Sequence, residues 1–194
     1  MITLSSAVLA LDDLNEGYEI NGNTGPNSNI TMEYDDGYKG LFARNDILAG
    51  SVIFHLKGCV SSRANMYSIQ LSSDKHLDFP PGRKPNDDLD YAWQYLNHSC
   101  DPNSYLNAGE YCFRALKNIS KGEEITFNYL ATEYELASPF RCGCRSVNCF
   151  RLIRGNKFLT ADQVAQLNDK KAQKNTKDFC EAFCAFCDLA FFSG

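Results

Sequence analysis

Cys142-Gly-Cys144, followed four residues later by Cys149, puts three thiols into one short stretch of chain. Soft thiolates at this spacing suit tetrahedral zinc, and a closed structural site takes four ligands. Only three are local, so a fold that uses them must deliver a fourth from elsewhere. Cys100 is the natural candidate, provided that its loop comes to lie against this segment. The competing reading is three reduced cysteines packed as small hydrophobes. Gly143 between two of them, and the charged residues around them, favour the metal.

Cys100 itself sits in Leu96-Asn-His-Ser-Cys-Asp-Pro-Asn103, just after the aromatic run Tyr91-Ala-Trp93-Gln-Tyr95. Alone, this octapeptide reads as a turn, because Asn and Asp bond nearby backbone and Pro102 restricts φ. Downstream, Gly122-Glu-Glu-Ile-Thr-Phe-Asn-Tyr129 is a turn running into a short apolar and aromatic strand. Glu123 and Glu124 are expected to be solvated turn and strand residues.

The 194 residues suffice for one domain with a real core and leave room for a small appendage. The formal net charge of −5 argues against broad phosphate binding and so against direct nucleic-acid contact; an acidic surface suits a basic protein or peptide. Nothing approaches a membrane-spanning apolar run, and Met1–Leu11 lacks the basic start of a signal peptide. Nine cysteines without an export signal point to thiols and metal in an intracellular setting, nucleus or cytoplasm.

Asn and Gly dominate residues 15–30, which are expected to be turn-rich or mobile. Short β segments follow: Leu41–Ala43, Ser51–Leu56, Met66–Leu71, Tyr111–Leu116 and Glu124–Tyr129, with a turn at Ser120–Gly122 and a loop over Asp78–Asn86. Helix is scarce until Thr160-Ala-Asp-Gln163, which has capping-box spacing and is followed by Val164 and Leu167 on one face. A last amphipathic stretch runs from about Lys177 to Phe192.

In this order, the octapeptide, the Gly122–Tyr129 segment and the cysteine triplet resemble the SET-domain protein lysine methyltransferases. The resemblance covers roughly residues 31–155. It implies a mostly β fold of small sheets in which the strand carrying Tyr129 is threaded past the Asn97 segment, with a post-SET zinc segment and C-terminal helices. The corresponding division is a leader at 1–30, the SET domain at 31–135, the zinc segment at 136–155 and a helical tail at 156–194. It further implies that Cys100 shares one zinc with Cys142, Cys144 and Cys149. Asn97 and His98 would hold S-adenosylmethionine together with Lys39, Gly40, Leu41 and Phe42 of an early loop. Tyr129 would lie at the reacting centre, and Tyr105 and Phe127 would line the lysine channel. Phe127 occupies a Phe/Tyr switch position at which phenylalanine favours di- or trimethylation. Two positions depart from the family pattern: Tyr38 replaces the first glycine of the early Gly-x-Gly, and Gln94 stands where arginine is common.

The implied activity is methyl transfer to a lysine of a histone or another basic protein. Two other readings stay open: a binding or scaffold protein with the same fold, and an enzyme acting on a small molecule. The C-terminal Cys180-x3-Cys184-x2-Cys187 has iron–sulfur spacing, but offsets of four and seven also align the thiols on one helical face. Beside Phe183 and Phe186, a helix packed on the domain is expected there. A second zinc site would need Cys59, Cys112 or a histidine as its fourth ligand.

Overall fold

The computed structural model describes residues 13–22, 29–35, 38–85 and 89–172. The expected 177–192 stretch and Cys180, Cys184 and Cys187 lie outside the described residues. The described chain is a set of small sheets with one α-helix. Strands β1 (Glu19–Asn21), β2 (Ile30–Asp35), β3 (Tyr38–Ala43), β4 (Val52–His55) and β5 (Lys57–Ser61) come first. Next are β6 (Ile69–Gln70), β7 (His76–Asp78), β8 (Asn97–His98), β9 (Ser104–Asn107) and β10 (Cys112–Ala115). Last are β11 (Thr126–Phe127), β12 (Phe140–Arg141), β13 (Leu152–Ile153) and helix α1 (Ala161–Ala172).

One sheet has the order β1-β5-β7-β6 and another β4-β10-β9; β2 pairs with β3, β8 with β11, and β12 with β13. β1 falls in the stretch expected to be a mobile leader, yet Ile20 and nearby Leu14 are buried in the main core. The expected strand at Met66–Leu71 shrinks to Ile69–Gln70. Asn65 turns the chain ahead of it, its side-chain oxygen accepting from the amides of Tyr67 and Ser68 at 2.9 and 3.0 Å. This Asx-type turn competes with a ladder, and it leaves Met66 66 % exposed.

The core gathers Leu41, Phe54, Leu77, Trp93, Phe113 and Ile125. Burying one such side chain fully contributes about 1.5–3 kcal/mol. The aromatic run before the octapeptide forms a 3-10 segment, Leu89–Tyr95. Its Trp93 is anchored by an indole N–H bond to the main-chain oxygen of Lys57 at 2.8 Å.

β8 and β11 pair in parallel, with Asn97 opposite Thr126 and His98 opposite Phe127. Two-residue strands are marginal by themselves, and side chains from the octapeptide loop supply the rest. Asn103 donates to the Glu124 main-chain oxygen at 2.8 Å and accepts from the Thr126 amide at 2.9 Å. Ser104 Oγ donates to the Thr126 oxygen at 2.9 Å. The two motifs are thereby held side by side, as the threaded arrangement requires.

A second, smaller core joins Cys100, Leu130, Phe150, Ile153 and Leu167. Here the capping-box expectation is met. Thr160 Oγ1 accepts from the Gln163 amide at 3.3 Å, and Gln163 Oε1 accepts from the Thr160 amide at 3.0 Å. Leu167 packs inward, and Gln166 Nε2 donates to the Asn148 main-chain oxygen at 2.8 Å, tying α1 to the cysteine loop.

Candidate functional site

Four sulfurs, those of Cys100, Cys142, Cys144 and Cys149, lie within 4.8 Å of one another. Cys100 Sγ is 3.8 Å from both Cys142 Sγ and Cys149 Sγ. A tetrahedron with zinc–sulfur bonds of ~2.3 Å has edges of about 3.8 Å, so these separations fit one zinc ion. Three amides also point at sulfur: Cys144 N–H to Cys142 at 3.4 Å, Phe150 N–H to Cys100 at 3.4 Å and Arg151 N–H to Cys149 at 3.3 Å. The chain adopts positive φ at Arg145 (56°) and Arg151 (67°) in this same segment. Burial pushes the Cys100 thiol well above its usual range, so a thiolate there needs a cation to offset its desolvation.

His98 links this cluster to Tyr129. Its Nδ1 accepts from the Tyr129 amide at 3.1 Å, and its Nε2 lies 3.2 Å from Cys100 Sγ. Burial pushes the imidazole down to about 4, keeping it neutral. A neutral ring that accepts at Nδ1 carries its proton on Nε2, facing the sulfur.

The Tyr129 hydroxyl donates to the Leu96 main-chain oxygen at 2.6 Å. Burial, then the nearby Glu133 carboxylate, holds the phenol well above its ordinary value, so the group is a neutral hydroxyl and not a base. Its ring packs on Phe127 (centroids 4.8 Å apart) and on Phe140 (5.9 Å).

These residues face a cavity of about 680 Å³, a size suited to a cofactor and a side chain together. Its walls include Trp93, Asn97, His98, Phe127 and Tyr129, and Phe140, Gly143 and Cys144 close one side. The cysteine segment therefore supplies part of the cavity lining as well as three of four clustered thiols that could hold a metal ion.

Asn97 Nδ2 donates to the Lys39 main-chain oxygen at 2.8 Å and to Glu124 Oε1 at 2.9 Å. Both partners are acceptors, which fixes the amide orientation and turns Oδ1 into the remaining acceptor. Tyr38 is 49 % exposed, lines the cavity and donates its hydroxyl to the same Glu124 oxygen at 2.5 Å. Burial, then Glu124, pushes that phenol up to about 12. The residue standing in for glycine is thus built into the site through Glu124. Gly40 keeps the space needed here: a Cβ would meet Glu124 Oε1 at 2.9 Å and Asn97 Nδ2 at 3.3 Å.

Several expectations change. Glu123 and Glu124 are not merely solvated: Glu123 accepts from Asn103 Nδ2 at 3.0 Å, and Glu124 holds Tyr38 and Asn97. Lys39, Gly40, Leu41 and Phe42 are not among the cavity-lining residues, and Leu41 is fully buried in the core. Their strand reaches the site through the Lys39 oxygen. Tyr105, expected in the channel, is in β9 opposite Arg114 of β10 and is not among the cavity-lining residues. Gln94 does line it, with Nε2 donating to the Tyr91 oxygen at 3.1 Å.

Glu133 was not legible as a site residue, since an isolated Thr-Glu-Tyr carries no motif. Only 8 % exposed, it lines the cavity, and its Oε1 accepts from the Gln70 amide and from Thr132 Oγ1, both at 2.9 Å. Gln70 reciprocates, its Oε1 accepting from the Tyr134 amide at 2.7 Å.

The chain is 35 % identical over 74 residues to Methyltransferase flvH of Aspergillus flavus, covering 37 % of this chain and 42 % of that protein. It is 33 % identical over 132 residues to the H3 lysine-36 specific histone-lysine N-methyltransferase of Candida albicans, covering 60 % of this chain and 15 % of that one. It thus spans less than half the length of either relative. Among solved structures, the methyltransferase domain of human SETMAR overlays with a TM-score of 0.47 at 17 % identity, covering 65 % of this chain and 57 % of that one. The family model described as SET domain matches residues 38–130, a span that holds β3, the octapeptide and Tyr129. Over those residues, the chain matches the SET-domain family.

Proposed function

We propose that the protein is an S-adenosylmethionine-dependent protein lysine N-methyltransferase acting on a histone or another basic protein. The observation that carries this reading is Tyr129: a neutral hydroxyl fixed on the Leu96 oxygen, on the wall of a cavity that also holds Asn97 and His98. When bound, S-adenosylmethionine supplies an electrophilic methyl on sulfonium sulfur. Asn97 Oδ1 and the Lys39 main chain are the groups suited to its amino-acid end, and Tyr38 and Glu124 shape that end of the cavity.

Methyl transfer to an amine is an in-line displacement, so alignment dominates catalysis. Tyr129 orients the reacting groups as a polar partner. Phe127, Phe140 and Trp93 give the channel apolar walls suited to a lysine stem and exclude water from the amine. A solution lysine is mostly protonated at neutral pH and so enters as the ammonium, and the apolar walls beside Tyr129 favour its loss of that proton before transfer. Cys100, Cys142, Cys144 and Cys149 hold one structural zinc that keeps the Phe140–Cys144 wall in place. The division into a SET domain at 31–135, a zinc segment at 136–155 and a helical tail from 156 is part of this proposal; the smaller core joins residues of all three.

The test is calorimetry with S-adenosylhomocysteine followed by labelled transfer to core histones. Binding together with label on histone lysine is the expected result. Binding without transfer to any protein would favour the scaffold reading.

A further inference from the structure

The cavity contains an anionic group that neither Tyr129 nor the cofactor-facing residues require. Among the described residues, both hydrogen bonds to the Glu133 side chain land on Oε1, and none lands on Oε2. The polar side-chain atoms sealed from solvent without a partner are Ser72 Oγ and His76 Nδ1. Glu133 Oε2 is not one of them, so it is not sealed from solvent, and its residue lines the cavity. Two other charged side chains line the same cavity, Glu124 and Arg141. Glu124 is occupied by Tyr38 and Asn97, and Arg141 lies on an exposed strand with no ion pair to Glu133.

A carboxylate held nine-tenths buried by one oxygen, with the other left open, is costly, and either a proton or a cation relieves that cost. Aromatic walls at Tyr67, Phe127 and Tyr129 suit an aliphatic stem behind such a cation. We propose that Glu133 is the specificity-determining carboxylate of the cavity, pairing through Oε2 with the aliphatic ammonium of the incoming substrate side chain. The assignment rests on the proposed lysine methylation and deepens it by naming how the amine is selected. Burial pushes the Glu133 carboxyl up to about 7, which accords with a site waiting for a positive charge. The hydrogen bonds from Gln70 and Thr132 hold the carboxyl in place, and the bond from the Tyr134 amide to Gln70 Oε1 braces the same turn against β6.

The test uses the full chain with S-adenosylhomocysteine added, titrated with butylammonium chloride and with 1-butanol as the neutral counterpart of similar length. Ligand-observed NMR reads both probes. Wild type should bind butylammonium about tenfold more tightly than butanol, a difference of ~1.4 kcal/mol. Glu133→Gln keeps an acceptor for the Gln70 amide and should bring the ratio close to one. Thr132→Val removes a partner of Oε1 but keeps the charge, and should preserve the preference. Equal binding of the two probes to wild type, no binding of butylammonium, or a preference that survives Glu133→Gln would overturn the assignment. If Glu133→Gln fails to fold, the wild-type ratio still decides.

These readouts need no methyl transfer. A protein that prefers butylammonium yet methylates nothing would contradict the proposed activity and leave Glu133 in its role. One that methylates lysine without that preference would do the reverse.

Discussion

Tyr129 donates its main-chain N–H to Nδ1 of His98 at 3.1 Å. The bond directs the imidazole Nε2–H toward Cys100 Sγ, 3.2 Å away. One neutral ring therefore joins the tyrosine of the cavity to the sulfur cluster, and a disturbance on either side reaches the other through a single side chain. Such outer partners orient metal ligands and tune them.

Metal content is the first consequence. Purified protein should contain about one zinc per chain. Cys142→Ser or a strong chelator should lower the thermal midpoint by on the order of 10 °C, because binding a structural metal is folding free energy. Inductively coupled plasma analysis with thermal denaturation checks both; a full complement of metal in Cys142→Ser would contradict the ligand set.

Gly40→Ala should weaken cofactor binding. The added Cβ would meet Glu124 Oε1 and Phe42 Cε2 at 2.9 Å, disturbing the carboxylate that holds Asn97. An overpacking cost of about 1–3 kcal/mol, if borne by the bound state, corresponds to roughly 5- to 150-fold in affinity. Calorimetry with S-adenosylhomocysteine reads it directly.

Phe127→Tyr should shift products toward monomethyl-lysine. Phe127 lines the cavity and packs on Tyr129, so a new hydroxyl there adds a polar partner and removes space. One hydrogen bond of about 1 kcal/mol changes the ratio of higher to single methylation several-fold. Intact-peptide mass spectrometry checks the distribution.

Gly155→Ala should destabilise the segment behind Tyr134. Gly155 has φ +116°, and a Cβ would lie 2.3 Å from the Tyr134 oxygen and 2.6 Å from Glu135 Cα. Backbone strain and overlap together cost about 2–4 kcal/mol, or roughly 5–10 °C in melting temperature. Gly109→Ala, where the nearest atom is Asn107 Oδ1 at 3.7 Å, is the near-neutral control in the same thermal melt.

The most legible parts of the sequence were those whose chemistry is local. Thr160 and Gln163 cap their own helix, and the cysteine spacing carries its own coordination logic. That the Asn97 segment and the strand leading to Tyr129 lie together was readable only through the family resemblance, and the register that sets Asn97 opposite Thr126 was not. Met66–Leu71 misled because its alternating pattern suits a strand, while Asn65 satisfies the backbone first. Glu124 and Glu133 were not legible for a different reason. Their partners, Tyr38 and Gln70, are far away in sequence, and a carboxylate reveals its burial only when the chain has closed around it.

The central claim is transfer of a methyl group to a lysine amine at Tyr129. Protein incubated with core histones and S-adenosylmethionine carrying a deuterated methyl should yield peptides in which tandem mass spectrometry places the label on lysine Nζ. Tyr129→Phe should lower that yield by about 10²–10³-fold, as loss of one aligned polar group at a reacting centre does, while S-adenosylhomocysteine binding persists. Label absent from lysine with the cofactor demonstrably bound, or an undiminished yield from Tyr129→Phe, would contradict the account.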